Sequence, residues 1–285
     1  MNMTLFQVLN GLTFAALLFV VASGFTLIFG LMRIVNLAHG ALYLLGGYFA
    51  LAVATKTGSF TLAVLAAAGG IAVVGFIIDR ALLVFVKGFD LRQVLLTLGL
   101  ALAMNDLALV IWGGDTFSVP TPEWLRGPLR VGEMAYPKYR LFVLAVGIAV
   151  FAGLWLLLNR TRLGALIRAG VDDAEIVDAM GVDIKRVFVF TFMLGAALAG
   201  VGGALGGAFL SLYPTADSEI LVFSLAVVII GGRGSLAGAA IGSLLVAMLA
   251  NFGQVWFPEL AYFVIFGPMA LLLAFRPLGL FGKAA

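Results

Sequence analysis

Nine runs of apolar residues, divided by short polar breaks, make up most of this chain, at 5–30, 36–54, 60–79, 93–113, 140–158, 187–210, 219–231, 236–252 and 259–275. Several reach the roughly 20 residues that a helix needs to cross the hydrocarbon core of a bilayer. A membrane β-barrel would instead show segments of about ten residues alternating in polarity, and the sequence has none. Only helices and closed barrels satisfy their backbone polar groups in lipid. The pattern therefore predicts an all-α polytopic transmembrane bundle, a single domain over residues 1–285. The seventh and eighth runs are short and divided only by Gly231, Gly232, Arg233, Gly234 and Ser235. They can be two spans or one broken, re-entrant element, so the expected count is eight to ten spans, some of them broken.

The polar positions are not spread evenly. The segment Arg160 to Arg186 holds five basic residues (Arg160, Arg162, Arg168, Lys185, Arg186) and five acids (Asp172, Asp173, Glu175, Asp178, Asp183) between two apolar runs. Within it, Asp172 to Met180 suits a short helix: Asp172 and Asp173 favour the positive amino end, and Gly181 ends it. Ile176, Ala179 and Met180 share one face, leaving Asp173, Glu175 and Asp178 to water. A short amphipathic helix of this kind can seat in a groove of a soluble partner; the plainer alternative is a solvated loop with surface ion pairs.

Composition narrows the class further. Hydrophobic residues are 63% of the chain, charged residues 11%, and the mean hydropathy is +1.17, which cannot cover the surface of a soluble domain. There is no cysteine and only one histidine, so disulfides, thiolate metal sites and multi-histidine metal sites are excluded. The pI near 9.3 reflects sidedness rather than nucleic-acid binding, because no basic-aromatic surface segment accompanies it. With the segment 160–186 in the cytoplasm, nine spans put twelve Lys/Arg inside and five outside (Lys56, Arg126, Arg130, Lys138, Arg140). That obeys the positive-inside rule and predicts an external amino terminus and a cytoplasmic carboxyl terminus. The amino-terminal stretch MNMTLFQVLN has no basic residue, so the first run is expected to stay as a spanning helix rather than to be cleaved. The longest external loop, about 114–139, carries Pro120, Pro122, Pro128 and Pro137 with Trp124, Tyr136 and Tyr139; it suits either a docking surface or a stiff interfacial connector.

Glycine is plentiful, at 36 residues, and its stripes (Gly234, Gly238, Gly242; Gly202, Gly206; Gly203, Gly207) suit close helix packing in lipid. Two glycine-polar segments interrupt the apolar pattern. Gly30 to Gly40 contains Arg33, Asn36 and His39, and Gly231 to Gly238 contains Arg233 and Ser235. Paired interruptions in two halves point to repeats around a central substrate site, although both breaks precede the same face here, which does not suit simple inversion. On this basis Asn36, His39, Gly40, Gly231, Gly232 and Ser235 are candidate pathway residues. Asn36 and His39 can hydrogen-bond across a broken helix or line the route.

The segment Ser23 to Tyr48, SGFTLIFGLMRIVNLAHGALYLLGGY, closely resembles the signature of branched-chain amino acid ABC importer permeases of the LivH type. Gly164, Arg168, Ala169, Asp173, Ala179 and Gly181 fall in a second motif of that family, and Val227 to Leu245 in a third. Arg233 departs from the third, at a position where many relatives carry an apolar residue. The resemblance covers nearly the whole chain. It implies an inner-membrane transport subunit, not an enzyme, that works by alternating access. It also implies a second homologous permease chain in a heterodimer, two cytosolic ABC ATPases, and a periplasmic or external solute-binding protein. Arg162, Gly164, Arg168, Asp172, Asp173, Glu175, Ile176, Ala179, Met180 and Gly181 would then receive the ATPases. This chain binds no cofactor of its own: it has no G-x-x-x-x-G-K-[ST] loop, and its one Gly-Lys pair, Gly282-Lys283, has Pro277 and Ala284 at the first-glycine and hydroxyl positions. ATP and magnesium belong to the partners.

Other functions stay open on the sequence. Urea, amides or aromatic acids are alternative cargoes within the same family. Asp106, inside the fourth run, suits helix locking, contact with a substrate amino group, or proton coupling in a secondary transporter. Asn251 and Gln254 have no assigned role. A glycine-rich channel without energy coupling is a third class. Pairing His39 with Ser235 as an intramembrane protease would need a nucleophile–base bond and an oxyanion site, and the sequence shows neither.

Overall fold

The structure is a computed structural model, and it describes residues 3–32, 36–86, 88–131, 134–232, 234–276 and 279–282. Arg33, in the first glycine-polar break, and Arg233, in the second, lie outside the described residues, as do Lys87 and Lys283, two of the twelve basic residues expected on the inside. Helices dominate: α1 (Met3–Met32), α2 (His39–Thr57), α3 (Phe60–Ala81), α4 (Asp90–Trp112), α5 (Lys138–Arg160), α6 (Arg162–Asp172), α7 (Ala174–Ala179), α8 (Ile184–Phe209), α9 (Ala216–Gly231), α10 (Leu236–Trp256) and α11 (Ala261–Phe275). Each of the nine apolar runs is a helix, and the seventh and eighth are two helices with a break between them. Among the described residues, six helices (α1, α3, α4, α5, α8, α10) contain stretches long and apolar enough to cross a membrane. The others are shorter or more polar; α9 has 16 residues and α11 has 15.

The helices differ sharply in burial. Of its most apolar window, α1 buries 78% and α8 buries 67%, against 17% for α5. The helix α2, with Tyr43 and Tyr48 fully covered, packs between α8, α3, α9 and α4. Small residues let these backbones meet. A Cβ on Gly203 of α8 would lie 1.9 Å from the Tyr43 carbonyl oxygen of α2. The outer helices α3, α4 and α5 turn Leu65, Leu102, Val110 and Ile148 outward, as lipid-facing helices do.

Two interruptions organise the interior. The His39 ring nitrogen Nε2 lies 3.0 Å from the Val21 carbonyl of α1. Val21 is eleven residues before Met32, the end of α1, or roughly 16 Å at 1.5 Å per residue. The helix α2 thus starts deep inside the bundle. Irregular backbone at that depth needs protein partners, and it has them: Leu37 N–H donates to Thr97 Oγ1 at 3.2 Å and Ala38 N–H to Asn36 Oδ1 at 3.1 Å. In the second half, Ser235 Oγ accepts from Gly238 N–H at 3.0 Å and caps α10. The carbonyls left free at the end of α9 are taken up by the carboxyl-terminal tail, with Leu280 N–H bonded to Ile230 O at 2.9 Å and Phe281 N–H to Gly231 O at 3.0 Å. The two interruptions meet, because a Cβ on Gly30 would lie 2.5 Å from the Cα of Gly234.

The loop 114–139 is tied back to the bundle at several points. It contains the antiparallel hairpin β1 (Pro128–Val131) and β2 (Met134–Pro137). Phe117 pairs with Leu212, and Val119 N–H bonds the Gly207 carbonyl at 3.0 Å. At its end, the buried Tyr139 hydroxyl donates to Leu205 O at 2.8 Å.

Candidate functional site

The charged segment between α5 and α8 forms two helices, where the sequence suggested one. Thr161 Oγ1 accepts from Gly164 N–H at 3.1 Å and starts α6. Gly164 lies so close to the end of α5 that a Cβ would come 2.2 Å from the Leu157 carbonyl oxygen. The shorter α7 starts at Ala174 rather than Asp172, because Asp172 is the last residue of α6. The Asp172 side chain lies outside what is described. Asp173 Oδ1 accepts from both Glu175 N–H and Ile176 N–H at 3.0 Å. Gly181, at φ +83°, turns the chain out of α7, a conformation that side chains with a Cβ resist.

Val177 alone in α7 is buried, packing with Ile167, Ile184 and Val187 into a small separate core. Ile176 is 60% exposed and Met180 77%. Ala179, Glu175, Arg162 and Arg168 are also exposed. Ile176 on this anchored helix and Met180 just after it are thus two large apolar side chains left exposed, in a segment whose charged residues Arg162, Arg168 and Glu175 are exposed as well. The Arg186–Asp183 ion pair, 2.8 Å apart and surface-exposed, sits beside it. Replacing Asp173 by alanine removes the cap shared by two amides and costs about 1 kcal/mol of local helix stability. Hydrogen exchange at Glu175 and Ile176 is expected to quicken; unchanged protection would show that Val177 packing alone holds α7.

The candidate pathway residues sit at the two interruptions. Asn36, His39, Gly40, Gly231 and Gly232 are buried there and Ser235 is half-buried. A Cβ on Gly40 would lie 2.0 Å from the Asp217 carbonyl oxygen of α9. His39 also meets the Phe25 ring edge-on, with centroids 5.3 Å apart. Asn36 Nδ2 and His39 Nδ1 are buried without a protein partner, which is uncommon and marks a place where water or a moving group can enter. His39 and Ser235 are each committed elsewhere, to Val21 and Gly238, so no nucleophile–base pair forms between them.

Asp106 is not brought to these residues. It faces outward on α4, while its neighbour Asn105 turns inward and its Nδ2 donates to Asp217 Oδ1 at 3.3 Å. The carboxylate that meets the inner face of α4 is therefore Asp217. No signal in the sequence marked it, because it lies in the polar stretch between two apolar runs.

A cavity of about 240 Å³ opens at the end of the bundle opposite α6 and α7. Its walls come from the first part of α1 (Asn10, Phe14), the start of α5 (Arg140), the end of α8 (Phe209), the start of α9 (Ala216, Glu219, Ile220, Phe223) and the end of α10 (Ala250, Asn251, Gln254), with Tyr43 below. Arg140 donates to Asn10 Oδ1. The Tyr213 hydroxyl donates to Glu219. Asn251 Nδ2 ties α10 to α1 through the Gln7 side-chain oxygen at 2.8 Å and the Gln7 carbonyl at 2.9 Å. Asn251 and Gln254, unassigned by sequence, line this cavity. The bundle thus has a small charged and apolar chamber at one end and an exposed helical seat at the other.

The family model described as branched-chain amino acid transport system / permease component matches residues 7–273. The high-affinity branched-chain amino acid transport system permease protein BraD of Pseudomonas aeruginosa is 27% identical to this chain, over 97% of it and 95% of the relative. The corresponding LivH protein of Salmonella typhimurium is 26% identical over the same shares. A shorter match, 30% identical over 42% of this chain and 34% of the relative, is to the fructose import permease protein FrcC of Rhizobium meliloti. No solved structure matches the chain.

Proposed function

We propose, from the premise that this chain belongs to the family of branched-chain amino acid transport permeases, that its cargo is a branched-chain amino acid and that α6 and α7 receive ATPase subunits. The chain is the permease subunit of an ATP-driven importer and lies in the inner membrane. The observation that carries the coupling proposal is the pair Ile176, on α7, and Met180, the residue that follows it, both exposed while Val177 between them anchors the helix. Apolar side chains held out at the end of a membrane domain favour burial in a soluble partner's groove. ATP and magnesium are handled by two such cytosolic subunits. A second, homologous permease chain completes the pore, and a solute-binding protein delivers cargo to the opposite end, where the cavity opens.

The amino end of α1 and the cavity then lie outside, and α6 and α7 lie in the cytoplasm, as the distribution of basic residues favours. Closing of the ATPases moves α7, and α6 with it, against α5 and α8. That shifts the balance between outward-open and inward-open states, provided that the partners bind one state better than the other. An ion-coupled mechanism through Asp106 has less support, because that carboxylate faces outward on α4.

Co-purification tests the coupling. With residues 172–180 replaced by a Gly/Ser linker, the ATPases are expected to be lost from the complex while the two permease chains stay together. ATPase recovery equal to wild type would refute a docking role for this segment.

A further inference from the structure

The cavity at the end of the bundle opposite α7 carries one cation and one anion. Arg140 comes from the start of α5 and Glu219 from the start of α9. Their polar partners are neutral: Arg140 donates to the Asn10 side-chain oxygen and lies 5.2 Å from the Phe209 ring centroid, and Glu219 accepts from the Tyr213 hydroxyl. Neither takes part in an ion pair among the described residues. Two opposite charges thus share a chamber without neutralising each other. Phe14, Ile220 and Phe223 add an apolar wall to the same chamber, with Phe14 and Phe223 in edge-to-face contact at 5.5 Å. At about 240 Å³ the chamber falls below the roughly 300–1,000 Å³ of drug-sized sites and suits a small metabolite.

The geometry points to a transient binding site for a zwitterionic α-amino acid, with Arg140 holding the carboxylate, Glu219 holding the ammonium and the Phe14–Ile220–Phe223 wall receiving the aliphatic side chain. Guanidinium donors match carboxylate geometry better than a point charge does, and a carboxylate accepts from an ammonium group through short, charge-assisted bonds. An uncharged solute such as urea would leave both charges unanswered, so the site selects by charge pattern before it selects by side chain. This deepens the proposed cargo and rests on it.

The test uses the complete importer in proteoliposomes, with labelled leucine uptake and binding-protein-stimulated ATP hydrolysis measured separately. Arg140→Gln and Glu219→Gln are each expected to lower leucine moved per ATP hydrolysed by about tenfold, the loss of one charge-assisted hydrogen bond. The readout is a ratio, so it does not depend on the hydrolysis rate staying at wild type; recovery of the assembled importer by size exclusion reports separately that the variants fold and assemble. Arg140→Lys should recover part of the lost transport, because it restores the charge without the planar pair of donors. Leucine moved per ATP unchanged in both glutamine variants would overturn the zwitterion site and leave the cargo standing. Wild-type uptake of urea in place of leucine would overturn the cargo, and the zwitterion site with it.

Discussion

Replacing Ile176 and Met180 together by glutamate is expected to lower ATP-driven uptake by at least about tenfold, while the chain stays folded in the membrane. The two side chains are 60% and 77% exposed, so charge on them costs this chain nothing in isolation. Under the proposed coupling the cost arises on docking, when each carboxylate would have to leave water for an apolar groove without a partner. Val177 is buried, so its replacement would instead loosen α7 itself and confuse folding with coupling. Uptake and ATPase binding measured on the double variant separate the two cases. Normal uptake would mean that the exposed pair is ordinary surface and that the partner docks elsewhere.

Changing Gly203 to alanine is expected to have the largest effect on stability. The added methyl would lie 1.9 Å from the Tyr43 carbonyl oxygen and 2.6 Å from the Gly47 backbone nitrogen. Neither atom can rotate away, so α2 and α8 must separate at the point where both are most buried. Overpacking of this kind costs about 1–3 kcal/mol and occasionally more. A methyl added at Gly69 on α3 would meet nothing within 4 Å. Gly69→Ala therefore serves as a control and should be neutral or stabilising by about 0.5–1 kcal/mol. Thermal unfolding in detergent, followed by size exclusion, checks both. Equal midpoints for the two variants would show that the contact of α2 with α8 is looser than its geometry indicates.

Much of the fold was legible because lipid imposes one rule on every span. Runs such as 93–113 and 236–252 had no alternative to helix once composition had set the membrane class. The amphipathic α6 was harder to see. Leu163, Leu166 and Ile167 carry the helical spacing, but the surrounding charges made the stretch look like loop. Residue-level placement was least legible. One step along a helix turns a side chain by about 100°, and that step puts Asn105 inside and Asp106 outside. The cavity was invisible for a different reason. Arg140 and Glu219 sit on helices far apart in sequence, and no local pattern shows that α5 and α9 share a chamber. The glycine stripes did signal close packing, and Gly203 and Gly242 meet carbonyls of Tyr43 and Val227. They could not say which helices would meet.

The depth at which α2 starts also has consequences for movement. His39 ties the start of α2 to Val21, and Gly40 packs it against Asp217 of α9. A shift of α9 relative to α1 therefore reaches α2 directly, near the floor of the cavity at Tyr43. At the other end, the tail bonds to Ile230 and Gly231 hold the carboxyl end of α9. The helix that supplies Glu219 is thus fixed at its base and contacts the interrupted start of α2 near its top. That arrangement suits a rocking element in alternating access.

Uptake in proteoliposomes containing this chain, its partner permease, the ATPases and the binding protein tests the central claim most directly. Leucine accumulation is expected to require ATP on the side that α6 and α7 face, and to persist when the proton gradient is collapsed. Accumulation driven by a proton gradient without ATP, and lost in Asp106→Asn, would contradict it.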